Sequence, residues 1–552
     1  MYKKNPAGKQ LNLTDPYMHY PKYIREMLHN SWAEYFFNSI FSNINEERFS
    51  LLYSDNFSRP NAPVNIIIGL LTLKELNQWS DEELIAGFYF DYRVQYALGI
   101  SDFDKERICI NTIGNFRKRL YEYYEAHGRD LLEEEISALT SELIELSGMD
   151  TSLARQDSMM ISSNCKKMGR LELIYTVNSN VVELLKEHAE NKIPETCRHY
   201  LEEKDKPNQI YRLKKEEVSA KTEQLLKESL ELYETVPAEL QQEEAYQSLV
   251  RLIKEQTGDN GTTPKKPKEI APDSLQNPSD QDATYRRKGN KAYTGYVMNF
   301  VEARDNEKEM SMIVSYQLEP NIISDKELGL NALEKDLKGA KTIVSDGTYY
   351  SPDMVEKAEE KSINLSYSAL TGRSSPEGKL GADQFEIDAE TETIVACPGG
   401  AKPVTSVRNR EKEYFKAKFA KKDCAACSLA DNCIFKEQKK FNSVIITDKK
   451  LVADHYRSLL GTEEHQMLAD FRAGAEGIPS VLRRVYGFDD IPVRGLKRSR
   501  IWGHFKLMAH NFKSFYSYFK RTGKDPLSLS CFFRLLSRLF GFKRWQACYG
   551  CL

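Results

Sequence analysis

No apolar run in the chain approaches the ~20 residues that a membrane helix needs, so no membrane span is expected. The opening residues, MYKKNPAGKQLNLTDPY, carry lysines but no apolar h-region. A secretory signal is therefore not expected, and the protein reads as cytoplasmic. A strong net charge is missing too, with 78 Lys+Arg against 81 Asp+Glu and a net charge of −3. Bulk charge thus announces no polyanionic partner. No internal repeat appears, so a repeat array is not expected. Without an export signal, the ten cysteines are expected as free thiols or metal ligands, not as disulfides.

What is present is a long chain whose composition reads as soluble. Its 552 residues are 41% hydrophobic and 29% charged, which suits a globular protein of two to four structural units. Charge is unevenly spread. From Phe471 to Leu552 there are 16 Lys+Arg against 4 Asp+Glu. That asymmetry predicts a polyanion-binding face on one part of the fold.

Residues 1–148 read as helical. WAEYFFNSIFSNI and APVNIIIGLLTLKELNQW have helix-like apolar patterns, and SDEEL offers a capping box from Ser80 to Glu83. INTIGNFRKRLYEYYEAHG and DLLEEEISALTSELIELSG add two more helices. The basic face of NFRKRL (Asn115 to Leu120) would suit phosphates in a helix-turn-helix module. Equally, it could be the solvated face of a packing bundle. At Met149 the character changes. ARQDSMMISS reads as a strand, and KKMGRLELIYTVNSNVVELLKEH as a helix. Residues 182–281 form a charged helical insertion ending in a Gly/Pro-rich linker. AYTGYVMNFVEARDNEKEMSMIVSYQLEP then reads as a β-hairpin. Helix and strand alternate afterwards, with strands at Thr342 to Ser345 and Asn364 to Ser368, which is α/β organisation. Residues 381–445 form a cysteine-bearing insertion, and a helical region follows.

Three carboxylates stand out. Asp346 follows the short apolar run TIVS, at the strand end where α/β sheets bind ligands. It could also be a plain turn former or cap. Asp157 lies inside a strand, against propensity, and such violations can mark function. It could also be an edge position. Glu476 lies in DFRAGAEGIPSVLRRVYGF, with Arg472 four residues before it and Arg483 seven after. On one continuous helix these three would share a face. Pro479 opposes that continuity, because its ring clashes with the carbonyl of residue 475. Glu476 is therefore expected at a helix beginning or bend. Three carboxylates could hold two divalent ions for phosphodiester displacement.

CPGG and DCAACSLADNC supply Cys397, Cys424, Cys427 and Cys433. A C-x2-C pair with two further cysteines can make a four-thiolate zinc site. They could also be buried or solvated free thiols. A second C-x2-C, Cys548 and Cys551, lacks well-spaced partners. The block VRGLKRSRIWGHFKLMAHNFKSFYSYFKR interleaves cations with aromatics. At helical spacing most of these aromatics are expected in the core. Arg494, Lys497, Arg498 and Arg500 are the expected DNA contacts.

In order, these segments resemble bacterial insertion-sequence transposases of the DDE type, in the broad group with an InsH-like N-terminal domain. SRPNAPVNIIIGLLTLKELNQWSDEEL looks like that domain. RQDSMMISSNCKKMGRLEL, VSDGTYYS and FRAGAEGIPSVLRRVYGF look like the segments of the three acids. NPSDQDATYRRKGNKAYTGY is similar to the segment before the hairpin, and CPGG with DCAACSLADNC to the cysteine insertion of one branch. One related group carries Y-x2-R-x3-E-x6-K around its third acid. Here Arg472 and Glu476 fit, Arg483 replaces the Lys, and Ala469 replaces the Tyr.

The resemblance implies an α+β multidomain protein, with an all-α N-terminal domain (1–148) before a ribonuclease-H-like core. That core is expected from 149–181, 282–380 and 446–525, with insertions at 182–281 and 381–445 and a tail at 526–552. The resemblance implies Mg²⁺ or Mn²⁺ held by Asp157, Asp346 and Glu476. Arg472 and Arg483 would position phosphate. The partners implied are double-stranded terminal inverted repeats and target DNA, bound by a dimer on the nucleoid. The implied reaction is cleavage at the element's ends and transfer of the 3′-OH strands. An inactive DNA-binding derivative and a metal-dependent nuclease of the same fold are the competing readings.

Overall fold

The computed structural model describes residues 1–5, 16–54, 60–100, 107–258, 261, 263–370, 378–388 and 390–523. Cys548, Cys551 and the expected 526–552 tail lie outside the described residues. No described helix is long and apolar enough to cross a membrane.

A mixed sheet organises the molecule. Its strands are β1 (Leu153–Ser162), β2 (Thr284–Lys288), β3 (Lys291–Asp305), β4 (Met310–Pro320), β5 (Thr342–Ser345) and β6 (Asn364–Tyr367). The spatial order is β4-β3-β1-β5-β6, with β2 beside the first residues of β3. The hairpin β3–β4 is antiparallel and so is β3–β1, whereas β1–β5 and β5–β6 are parallel. The hairpin and both short strands thus lie where the apolar patterns put them.

Alternation along β1 and β3 sends side chains to opposite faces. Ala154, Met160, Val297 and Val301 join one core, while Met159, Ile161, Met298 and Phe300 join another. The first core is large because it also contains the N-terminal helices. Val64–Asn77 and Leu131–Ser147 pack against the long helix Leu496–Thr522, which crosses β4. Asn511 fixes that crossing by accepting from Ile313 N at 2.9 Å and donating to Ile313 O at 2.9 Å. Phe36 meets Phe512 edge-on, with ring centroids 5.1 Å apart. The first 148 residues therefore share their core with the sheet. Phe505, Phe512, Phe515 and Phe519 are buried, as helical spacing predicts, and Trp502 and Tyr516 are half-buried. The Ser80 capping box is formed, with Glu83 N donating to Ser80 Oγ at 3.1 Å and Ser80 N to Glu83 Oε2 at 2.8 Å.

Two insertions have cores of their own. The first packs the helices Val218–Thr235 and Glu244–Gln256 on the helix Arg170–His188, through Leu173, Val181, Leu225 and Leu249. The boundary expected at 181/182 falls inside that continuous helix, whose apolar face serves the insertion. The second insertion carries β7 (Glu386–Asp388), β8 (Thr393–Ala396), β9 (Thr405–Asn409), β10 (Tyr414–Ala420), β11 (Lys436–Glu437) and β12 (Phe441–Thr447). Phe415, Phe419, Val444 and Ile446 fill its small core.

Candidate active site

Parallel register brings the two aspartates together. Leu153 pairs with Thr342 and Arg155 with Val344. Two residues further on, the same register sets Asp157 level with Asp346. Asp346 stands just past the carboxyl end of β5 and opens the short turn Gly347–Tyr349. Gly347 is required there by close approach, since a Cβ would lie 1.9 Å from Ala369 O. Strand alternation places Asp157 on the face shared by Arg155, Met159 and Ile161.

That face is covered by the segment carrying Glu476. The helix Glu463–Ala473 ends in a 3-10 turn, Gly474–Glu476, and a new helix begins at Gly477–Arg484. Glu476 therefore sits at a helix beginning, as Pro479 predicts. Ile478 and Leu482 anchor the new helix against Met159 and Ile161. Arg155 anchors the preceding helix, with Nη1 donating to Phe471 O at 2.8 Å and the guanidinium 5.2 Å from the Phe471 ring. Its Nε donates to Glu302, a carboxylate with no exposure at all. Gly474 touches this guanidinium, and a Cβ there would meet Nη1 at 2.3 Å.

Arg472 fills the gap between the aspartates. One guanidinium nitrogen, Nη2, is 3.7 Å from Asp157 Oδ1 and 3.9 Å from Asp346 Oδ2. Asp157 is mostly buried, and burial pushes its carboxyl above the usual range; Asp346 pushes it the same way, while the Ser158 N–H and Arg472 oppose the rise. Glu476 is exposed and makes no cap hydrogen bond. The three carboxylates do not close to within 4.8 Å of one another.

Among the described residues, a different group meets that spacing: Asp130, Glu133 and His504. Asp130 Oδ1 caps the helix Leu131–Ser147, accepting from Leu132 N and Glu133 N, and Oδ2 is 3.3 Å from His504 Nε2. Glu133 is already neutralised by Lys335. A helix N-terminus disfavours a further cation. The group is better explained as a polar tie, made by Asp130 and His504, between the N-terminal helices and the long C-terminal helix.

The expected phosphate contacts divide by orientation. Arg494 and Arg498 are exposed, Arg494 donating to Asn164 O at 2.9 Å and Arg498 lying 4.2 Å from the Tyr121 ring. Lys497 pairs with Glu125 at 3.1 Å. Arg500 turns inward to Leu318 O, Tyr124 Oη and Glu319. Arg483 bonds Met160 O and Asp489, both at 3.1 Å, so it does not join Arg472 between the aspartates. In NFRKRL, Arg117 is held by Asp81.

Cys397, Cys424, Cys427 and Cys433 are free thiols that line one pocket. Cys397 follows β8, Cys424 lies in the helix Lys421–Ala425, Cys427 just after it, and Cys433 just after the turn Ala430–Asn432. Burial pushes the Cys433 thiol up, and Cys397 and Cys424 add to the rise. A Cβ on Gly399 would lie 2.6 Å from Cys427 Sγ and 3.8 Å from Cys397 Sγ, so the backbone cradles these sulfurs closely. No three of the four sulfurs lie within 4.8 Å of one another.

Residues 396–516 match the family model described as the transposase DDE domain. The matched span is about a fifth of the chain. It contains all four cysteines of the pocket, Arg472, Glu476 and the basic start of the last helix, but neither Asp157 nor Asp346. No curated protein and no solved structure gives a significant match.

Arg155 and Glu302 were not among the residues expected to matter. The signal was available. Both are charged residues within strands, the same violation of propensity that singles out Asp157.

Proposed function

We propose that the chain is a DDE transposase that cuts the ends of its element and joins the freed 3′-OH strands to target DNA. The observation that carries this reading is the meeting of Asp157 and Asp346 beside one cation. The DDE-domain match over the Glu476 segment supports it. So does the sheet, in which one acid lies on the central strand and another at the end of the adjacent parallel strand, as suits a ribonuclease-H-like core.

The donor set fits a hard divalent ion, because oxygen ligands suit Mg²⁺ and Mn²⁺. Asp157, Asp346 and Glu476 would hold it. Ions bound there would activate the attacking oxygen and stabilise the leaving one in phosphodiester displacement. Glu476, exposed at the start of its helix, has to turn inward to join the aspartates. The packing of Ile478 and Leu482 keeps it over the sheet while it does so. Arg472 would hold a phosphate oxygen, while Arg494 and Arg498 extend the cationic surface along double-stranded DNA. Lys497, Arg500 and Arg483 serve that surface by supporting its packing. Two element ends have to be paired, so the active species on DNA is a dimer, and the protein works in the cytoplasm on the nucleoid.

The four cysteines fit a structural Zn²⁺, since four thiolates are a zinc donor set. Binding would draw the sulfurs inward and fix the loops after β8 and β10.

The test uses purified protein, Mg²⁺ and DNA carrying the terminal inverted repeats of its own element. Cutting at the ends is expected. Asp157→Ala, Asp346→Ala and Glu476→Ala should each abolish cutting while keeping DNA binding. Full activity in any of them removes that residue from the mechanism. Binding with no cutting by the native chain would instead mark an inactive derivative. Cutting without regard to the ends would mark a nuclease.

A further inference from the structure

We infer that Arg472 is a resident counter-cation that occupies the metal position in the metal-free protein and leaves it when divalent ions bind. This rests on the reading of Asp157 and Asp346 as metal ligands.

The geometry has three parts. First, the same nitrogen of Arg472 faces both aspartates, at 3.7 Å and 3.9 Å. Among the described residues neither aspartate has another ion-pair partner. A mostly buried carboxylate beside a second carboxylate is costly without a compensating cation. Arg472 supplies the nearest such cation, with Lys288 acting on Asp157 from farther off.

Second, the hold is loose. A charge-assisted N–H···O bond runs at about 2.7–2.9 Å and an Arg–carboxylate pair is often bidentate. Here both distances are longer, and a single nitrogen serves two different residues. The Nε of Arg472 is buried with no hydrogen-bond partner. The guanidinium is held by charge, not by a fork of hydrogen bonds. A divalent ion at about 2.0–2.1 Å from carboxylate oxygens uses the same gap with twice the charge, so the two cations exclude each other.

Third, Arg472 lies in the last turn of its helix, immediately before the 3-10 turn that carries Glu476. Its departure frees the side chain to meet DNA phosphate and leaves the two aspartates to the incoming ion. Metal loading and formation of the phosphate clamp are thereby one event.

The experiment is Mn²⁺ titration of the full-length protein without DNA, followed by electron paramagnetic resonance of the free ion. Arg472→Gln should bind Mn²⁺ about tenfold more tightly than the native chain, or ~1.4 kcal/mol. Arg472→Lys, which keeps the cation, should stay near the native affinity, and Asp157→Asn should lose the site. A native protein reading comes from phenylglyoxal labelling followed by mass spectrometry. Mn²⁺ should raise the reactivity of Arg472 in the native chain and leave it unchanged in Asp157→Asn. This arm stands even where Arg472→Gln fails to fold. If the native chain binds Mn²⁺ through Asp157 but Arg472→Gln binds no more tightly, or Mn²⁺ does not raise the reactivity of Arg472, the counter-cation role is wrong. If no Mn²⁺ binding depends on Asp157, the metal-centre reading falls together with it.

Discussion

Replacing Arg155 with methionine should damage the protein in two separable ways. Arg155 and Glu302 form a buried pair, with side chains 6% and 0% exposed. Removing the cation alone leaves a carboxylate stranded in the core, which costs ~3–5 kcal/mol. Loss of the hydrogen bond to Phe471 O adds ~1 kcal/mol. A drop of ~4–6 kcal/mol is therefore expected, a large share of the stability of any domain. The double variant Arg155→Met, Glu302→Met removes the stranded charge as well. It should recover most of the lost stability, because apolar replacement of a whole buried pair is often neutral. It should not recover the tether to Phe471, so the segment 471–476 should remain less protected than in the native chain. Urea unfolding midpoints measure the first effect and hydrogen exchange of peptides covering 471–476 measures the second. A double variant as unstable as the single one would refute the stranded-charge argument. Native protection of 471–476 in that double variant would refute the tether.

Other expectations follow from single sites. A methyl group at Gly347 would collide with Ala369 O at 1.9 Å, so Gly347→Ala should displace Asp346 and lower Mn²⁺ affinity at least tenfold, read by titration. Burial pushes the Glu135 carboxyl up to about 7, against the opposing pull of the Asn45 N–H and Arg48. Between about pH 4.5 and pH 7 the native state thus holds more protons than the unfolded one, and stability falls as pH rises through that window, by up to ~3 kcal/mol. Glu135→Gln should flatten the dependence; parallel thermal midpoints from pH 5 to pH 8 for both proteins would contradict this. Arg498→Ala should lower the salt slope of DNA binding by about one with little loss of stability. Arg500→Ala should instead lower the thermal midpoint, because Arg500 pairs with Glu319 at 2.6 Å and is only 22% exposed. Protein purified without chelator should carry about one equivalent of zinc, and Cys427→Ser should lose it, as metal analysis would show.

Local rules carried the sequence reading a long way. The hairpin of β3 and β4, the strands β5 and β6 and the Ser80 cap were legible from alternation and turn chemistry, which act within a few residues. Pro479 placed a helix beginning at Glu476 for the same local reason. Non-local facts were out of reach. Nothing near Asp157 in the chain says that Asp346 stands level with it, because that depends on strand register across almost two hundred residues. The inward turn of Arg500 was equally hidden, since Glu319 and Tyr124 are distant in sequence. The boundary read at 181/182 follows the change in charge composition, and it falls inside the helix Arg170–His188, whose apolar face packs with the insertion.

The most direct test of the central claim is anomalous scattering from crystals of the protein grown with Mn²⁺ and DNA carrying its element's end. The account predicts a Mn²⁺ peak between the carboxylates of Asp157 and Asp346, with Glu476 turned toward it and Arg472 withdrawn. A peak at Asp130, Glu133 and His504 instead, or none beside Asp157 at saturating Mn²⁺, would contradict it.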